Sequence, residues 1–234
     1  MTTEGFRFIG RGLYAVPEAA RLTHVSTWRI RRWLRGYTFQ TRSGQHASQP
    51  VITSPMPAID GVLTLSFLDL LEVRLVDAFL EAGVRWRTIR EAREKAAESL
   101  GPYPFSRGRF VTDGRTILEP LARGAARNDR AFADVVTGQV TFREAIAPYL
   151  ATLKFSPNDD QAQEWWPLGK KRAIVLTPHR GFGQPIVARG GVPTNILARS
   201  YRAEQSFPRV ARWFEVSERA VRDAVEYEAT LAAA

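Results

Sequence analysis

The chain is predicted to be mainly α with small β-hairpins, carrying a winged helix-turn-helix at its N terminus and a trihelical module at its C terminus. Three observations predict this. Apolar residues recur at helical spacing over most of the length, interrupted by short extended stretches rich in Ser, Thr, Gly and Pro. Leu13 to Tyr37 reads as two short helices around a tight turn. The same spacing returns near the end, between Val210 and Val225.

In the first of these units Val16, Ala19, Ala20 and Leu22 form the apolar side of a helix, with Pro17 where a first turn tolerates it. Thr23, His24 and Val25 make the turn. Ser26 caps the second helix, Ile30, Trp33 and Leu34 line one of its faces, and Gly36 ends it. The opposite face carries Arg29, Arg31, Arg32 and Arg35, with Thr27 and Trp28 at its N-terminal end. An apolar back and an arginine front suit the DNA major groove, where arginine pairs with phosphate or with guanine and first-turn residues reach the bases. A solvated basic face on an ordinary helical hairpin has the same composition.

Charge agrees with a polyanionic partner. The 234 residues carry a formal net charge of +9, and residues 1–44 alone hold eight arginines against two glutamates. Residues 1–12 read as a basic arm or a plain flexible terminus. Thr38 to Leu65 contains three short extended runs, Tyr37–Thr41, Val51–Thr53 and Val62–Leu65. Two of them are expected to form a hairpin wing with Arg42, Ser43 and His46 near its tip, although a disordered loop would have this composition too.

Ser66 opens a helix with Asp69 completing a variant capping box, and Phe67, Leu70, Leu71, Leu75, Phe79 and Leu80 keep helical period up to Gly83. A second helix is predicted from Arg85 to Leu100, with Ile89, Ala92, Ala96 and Ala97 inward and Gly101-Pro102 stopping it. Next, Arg109–Thr112 and Arg115–Leu118 flank Asp113-Gly114, a short-range hairpin signal. Leu121–Asp134 reads as a linker, and Phe142–Leu153 as a helix boxed by Thr141 and Glu144.

From Ala162 two strands are expected, Glu164–Trp166 and Ala173–Leu176, joined around Leu168–Lys170. Residues 168–199 hold Lys170, Lys171, Arg172, Arg180, Arg189 and Arg199 with no acidic residue. Gly181, Gly183, Gly190 and Gly191 lack dinucleotide or phosphate-loop spacing and suit turns at positive φ. Three helices close the chain: one capped by Thr194, one from Ser206/Phe207 to Phe214, and one capped by Ser217. Residues 200–234 carry five arginines against six acids, a poor balance for phosphate binding, so this end reads as a protein-contact module.

Several chemistries have no residues to carry them. There is no cysteine, which removes disulfides and thiolate metal sites and fits a reducing cytoplasm. The three histidines, His24, His46 and His179, show no ligand spacing with a carboxylate, and Asp159, Asp160 and Glu164 read as a solvated loop and helix start. No nucleophile-elbow motif occurs. No cofactor, metal, membrane span or enzymatic activity is expected.

Tyr14, Glu18-Ala19-Ala20, Leu22, Val25-Ser26, Ile30-Arg31 and Trp33 resemble the helix-turn-helix of MerR-like regulators, departing from it at His24, where glycine is common, and at Trp28. Phe182-Gly183-Gln184-Pro185 through Gly191–Thr194, then Ala211–Ser217 and Val221–Val225, resemble the domain of unknown function numbered 433. That domain is homeodomain-like and trihelical, and occurs in VapB-like antitoxins. Leu65–Leu70, Gly83-Val84 and Ile89-Arg90 resemble the longer antitoxins that add a MerR-like module.

This resemblance implies a type II toxin–antitoxin pair, with a PIN-like ribonuclease as partner. Lys170, Lys171, Arg172, Arg180 and Arg189 are then toxin-binding candidates, Arg180 or Arg189 entering the carboxylate cluster of the toxin in place of Mg²⁺ and RNA phosphate. Ser26, Thr27, Trp28, Arg29, Arg31, Arg32, Arg35 and Arg42 are the DNA-binding candidates, and a homodimer on two half-sites of operator DNA is expected. The expected division is 1–101 for the DNA-binding domain, 102–160 for a hairpin and helical connector, and 161–234 for the antitoxin-like module. The alternative is a stand-alone MerR-like regulator whose C-terminal half senses a ligand or dimerises.

Overall fold

Ser66 decides where the central helix begins. In the computed structural model, which describes residues 10–54, 56–125, 129, 132, 146 and 148–233, its hydroxyl accepts from the Asp69 backbone N–H while Asp69 accepts from the Ser66 N–H, a complete capping box. Helix α3, Phe67–Glu81, runs from there, and ten of its fifteen residues are buried, including the acids Asp69, Glu72 and Asp77. Such a helix has core on nearly every side.

Around it stand strand β1 (Tyr14–Ala15), helix α1 (Val16–Thr23), helix α2 (Thr27–Arg35), and strands β2 (Tyr37–Thr41), β3 (Gly44–Ser48) and β4 (Thr64–Leu65). Helix α1 carries Pro17 in its first turn and ends at His24, whose φ of 58° is left-handed. That is the conformation for which glycine is common here, so the histidine departure leaves the turn geometry intact. Ser26 caps α2 as expected, accepting from the Arg29 N–H at 3.3 Å. Buried Ile30 and Trp33 form its inner face.

The hairpin after α2 pairs Tyr37–Thr41 with Gly44–Ser48, with Tyr37 opposite Ser48 and Thr41 opposite Gly44. Val51–Thr53 is therefore not the partner strand. Val51 and Ile52 are buried, and both donate to the Trp33 carbonyl, at 2.9 and 3.0 Å, closing the C-terminal end of α2. Arg42 and Ser43 form the tip, whereas His46 lies within β3 opposite Phe39. The third extended run survives as β4, which pairs antiparallel with β1.

Helix α4, Trp86–Leu100, follows and stops at Gly101. The predicted hairpin at Arg109–Leu118 is instead helix α5, Gly108–Ala125. Phe110, Leu118 and Ala122 are fully buried at helical spacing, and α5 packs on α4. Apolar pairs flanking Asp-Gly satisfy both periods; tertiary burial chose the helix, over the cost of about 1 kcal/mol for an internal glycine. The expected linker belongs to α5 as far as Ala125, and most of its remainder lies outside the described residues. Of the helix expected at Phe142–Leu153, residues 146 and 148–150 are helical, the capping pair Thr141 and Glu144 lies outside the described residues, and Leu153 already belongs to the next strand.

Two antiparallel hairpins follow. Strand β5 (Leu153–Phe155) pairs with β6 (Ala162–Trp165), and β7 (Ile174–Val175) with β8 (Ile186–Val187); a bridge between Trp165 and Leu176 links the two hairpins. Helices α6 (Thr194–Glu204), α7 (Phe207–Trp213) and α8 (Glu218–Ala232) complete the chain. Ser217 caps α8, as expected. Thr194 does not cap α6: it is the first helical residue after Pro193, and its hydroxyl donates instead to Glu228 on α8.

The two ends share one core. The Tyr14 hydroxyl donates to the Gly183 carbonyl at 2.7 Å, Gln184 donates to Glu18, and α1 touches α8. Gly183 is obligatory here, since a Cβ would stand 2.2 Å from the Tyr14 oxygen.

At the centre, Arg93 donates to fully buried Glu72 at 2.8 Å, and the Phe105 N–H donates to the other oxygen at 2.9 Å. Burial pushes the Glu72 carboxyl up, and Arg93 opposes the rise. Replacing Arg93 with Met should lower the unfolding free energy by about 3–5 kcal/mol in urea titrations at pH 7, because it leaves a buried charge unpaired. In that variant the native state binds a proton at a pH where the unfolded chain does not. Its deficit should therefore shrink as pH falls toward the ordinary carboxylate range, and Glu72→Gln with Arg93→Met should recover most of the loss.

Candidate functional site

Helix α2 turns its apolar side to α3 and α4 and its basic side outward. Trp33 stacks on Trp86 of α4 at 5.7 Å, and Arg29 reaches back to buried Asp77 of α3 at 3.0 Å. Burial raises the Asp77 carboxyl and the Arg29 charge opposes that rise. Arg29 is thus an anchor that sets the rotation of α2, and much of its charge is balanced within the chain. Arg74 supports the same junction by donating to the Thr23 carbonyl at the end of α1.

With α2 fixed this way, Trp28, Arg31 and Arg35 are exposed, Trp28 to 62%, and lie at i, i+3 and i+7 on one face. Arg31, Arg35 and Arg42 make no ion pair among the described residues. Arg32 sits between two rings, its guanidinium carbon 4.1 Å from the Trp28 centroid and 3.3 Å from that of Tyr37. Both rings hold the cation by cation–π contact, which restricts its rotamers. Ser26 is the cap and Thr27 the first helical residue.

The hairpin extends this surface. Tyr37 belongs to it, Phe39 stacks on His46 at 5.7 Å, and the Ser43 hydroxyl and His46 Nε2 lie 3.0 Å apart beside Arg42. Arg90 of α4 donates to Ser48 at 2.8 Å, which ties the hairpin to the core. The structure thus brings Trp28, Arg31, Arg32 and Arg35 onto one face of α2, leaves Arg42 exposed at the hairpin tip, and takes Arg29 into the support of the helix. Asp77, Tyr37, Phe39 and Arg90 were missed by the sequence reading. Asp77 left one signal, a carboxylate amid the apolar run of α3 from Leu75 to Leu80; the rings left none beyond strand composition.

The second set of candidates is split. Lys170, Lys171, Arg180 and Arg189 are exposed. Arg172 is engaged within the chain, donating to Asp223 at 2.7 Å and to Glu226, while the Ala173 N–H holds the other Asp223 oxygen. Its role is to fasten the basic segment to α8. Lys170, Arg172 and Arg189 line a cleft of about 570 Å³ with Glu215 and Trp166. Arg180 borders the neighbouring cleft and donates to the Ala188 carbonyl at 2.8 Å. Gly181, Gly183, Gly190 and Gly191 all have positive φ, as their spacing predicts.

Among the described residues no three His, Asp or Glu side chains are disposed to hold a metal ion. Asp160 accepts from the Arg109 N–H, Asp159 from the Gln161 N–H, and Glu164 pairs with Lys154. Nor is any helix among the described residues long and apolar enough to cross a membrane.

Comparison with known proteins agrees with this geometry. Residues 12–93, which span α1 to α4 but for the last turns, match the family described as "Putative DNA-binding HTH domain". The chain is 26% identical over 221 residues to "Putative antitoxin VapB45" of Mycobacterium tuberculosis (strain ATCC 25618 / H37Rv), covering 92% of each sequence. The X-ray crystal structure of Rv2018 from Mycobacterium tuberculosis superposes with a TM-score of 0.73 at 27% identity, over 91% of this chain and 96% of that one. The chain is mostly helical with small antiparallel hairpins and carries a helix-turn-helix domain at its N terminus.

The join between α2 and the hairpin is exacting. Gly36 has φ of 69°, and a Cβ there would lie 2.3 Å from the Ser48 carbonyl oxygen. Gly36→Ala should cost about 1–3 kcal/mol and displace the hairpin, seen as a lowered Tm together with a changed near-UV signal from the Trp28–Arg32–Tyr37 stack.

Proposed function

We propose that this chain is an antitoxin that binds operator DNA through its N-terminal helix-turn-helix and neutralises a PIN-like ribonuclease toxin through its C-terminal part, repressing its own operon as a homodimer. The observation that carries the DNA reading is the outward face of α2. There Arg31 and Arg35 stand clear of any ion pair among the described residues, and Arg32 is held against the rings of Trp28 and Tyr37. The toxin reading is supported by similarity over nearly the whole length to a protein named an antitoxin.

In this reading α2 enters the major groove, as in MerR-like proteins. Ser26, Thr27 and Trp28 approach the bases from the first turn, Arg32 meets a base edge, and Arg31 and Arg35 meet phosphates on either side of the groove. The hairpin acts as a wing with Arg42 on the backbone, and Arg29 orients the helix from behind. Residues 1–101 form the DNA-binding domain, 102–160 the connector and 161–234 the homeodomain-like toxin-binding module. Lys170, Lys171, Arg180 and Arg189 face the toxin's carboxylates, and Arg172 holds their segment on α8. The protein acts as a regulator rather than an enzyme.

A second reading has one specific observation behind it. A cleft of about 330 Å³ between the two ends of the chain is lined by Arg11, Phe67, Tyr103, Asp159 and His179 among others, a size that suits a small molecule. A stand-alone regulator sensing such a ligand would use it.

Two experiments test these readings. Arg31→Ala should weaken binding on operator and scrambled duplexes alike and reduce the salt slope by about 1, whereas Arg32→Ala should weaken operator binding selectively; equal losses for both would make Arg32 a phosphate contact. Co-expression with the adjacent open reading frame, with a tag on this chain, should bring down a stoichiometric protein that is toxic when expressed alone. A harmless neighbour that does not co-purify favours the stand-alone regulator.

A further inference from the structure

The loop between β7 and β8 contains Gly181-Phe182-Gly183, and all three residues adopt positive φ, of 57°, 54° and 87°. For the two glycines this costs little. For Phe182 it is strained, because a bulky side chain on Cβ crowds the backbone in the left-handed region. Most other non-glycine residues with positive φ are polar or acidic, and three of them, His24, Gln205 and Glu215, close helices. Phe182 is the second central residue of a turn closed by the Gly183 N–H and the Arg180 carbonyl, a position that glycine would fill without strain.

It also does not pack. Phe182 is 82% exposed, the most exposed large apolar side chain among the described residues. Leaving a phenylalanine in water forgoes the stabilisation that burial would bring, so the side chain of this residue does not serve the fold.

The loop that carries it is nevertheless held firmly. The Gly183 N–H donates to the Arg180 carbonyl at 3.1 Å and the Gln184 N–H to Gly181 at 2.9 Å. The Gly183 carbonyl accepts from buried Tyr14, the Gln184 side chain donates to Glu18, and Arg180 donates across to Ala188. An exposed aromatic on a braced loop is preorganised for an encounter, since little conformational freedom is left to lose on binding.

The charge around it selects the partner. Arg180 is two residues away and its guanidinium lies over Gly191, beside exposed Arg189. Residues 168–199 contain no acid at all. A second copy of this chain in a two-fold contact would set these cations against themselves. An acidic protein surface with an apolar pocket would satisfy both the ring and its arginine neighbours, and aromatic and arginine side chains dominate interface hot spots.

We infer that Phe182 is the anchor of the toxin-binding surface, inserting into an apolar pocket of the partner protein while Arg180 and Arg189 engage carboxylates at its rim. This rests on the antitoxin reading above. The anchor is a strained residue kept for binding, which makes a distinctive prediction: Phe182→Gly relieves the backbone strain and removes the ring.

The test uses the full chain co-expressed with the protein of the adjacent reading frame. Phe182→Gly should melt at the same temperature as the parent or higher, bind operator DNA unchanged, and lose affinity for that protein by roughly 30-fold or more. Phe182→Leu should recover part of the loss. If the parent captures the neighbour and Phe182→Gly captures it equally well, the inference fails and the antitoxin reading stands. If the parent captures nothing, both fail. A lower Tm for Phe182→Gly would give the residue a structural role, weakened operator binding would make the loop a DNA contact, and a change from dimer to monomer on size exclusion would make it a self-contact; each overturns the proposal.

Discussion

A fully buried carboxylate holds this molecule together. Glu72 cannot be solvated, so its charge has to be met by protein groups, and two arrive from separate places: the guanidinium of Arg93 on α4 and the N–H of Phe105 in the turn that leads into α5. A pair of this kind adds little net stability over an apolar substitute, but it penalises every arrangement in which its members are apart. The relative placement of α3, α4 and the start of α5 is therefore specified rather than merely favoured.

The same device is used twice more along α3. Asp69 receives Ser54 and Ser66, pinning the loop that precedes the helix to its first turn. Asp77 receives Arg29 and so sets the rotation of α2. Each carboxylate meets a different element, which makes α3 the reference against which the basic face of α2 is positioned. Arg31, Arg32 and Arg35 can then present charge on one face of α2 because the internal demand is met by Arg29 and Arg93. The aromatic sandwich around Arg32 extends the principle to the surface: a long side chain that would otherwise sample many rotamers is restricted before any ligand arrives.

The C-terminal half is joined to this frame by Tyr14, whose ring fills space that Gly12 and Gly183 leave open and whose hydroxyl closes on the Gly183 carbonyl. The start of the helix-turn-helix and the loop bearing Phe182 are consequently neighbours. In the antitoxin reading this places toxin contact and DNA contact on parts of the chain that share a core. Arg172, paired with Asp223 and Glu226, plays for the basic segment the part that Arg29 plays for α2.

Much of this was legible without coordinates wherever local chemistry decides. The turn at His24, the cap at Ser26, the stop at Gly36, the box at Ser66 and Asp69 and the cap at Ser217 each involve residues within a few positions of one another, and their geometry follows from side-chain type. The arginine face of α2 was legible for the same reason, as was the polyanion preference carried by net charge. What tertiary structure alone decided are the cases where local signals tie or are silent. Asp113-Gly114 fits a hairpin and a helix equally, and burial of Phe110, Leu118 and Ala122 against α4 settled it. Val51-Ile52 became buried loop because the end of α2 needed donors, and Gly44–Ser48 took its place in the hairpin. Which arginines serve the interior and which the surface could not be read from the chain: Arg29 and Arg172 find carboxylates 48 and 51 residues away, and partners at that distance are chosen by packing, not by sequence spacing.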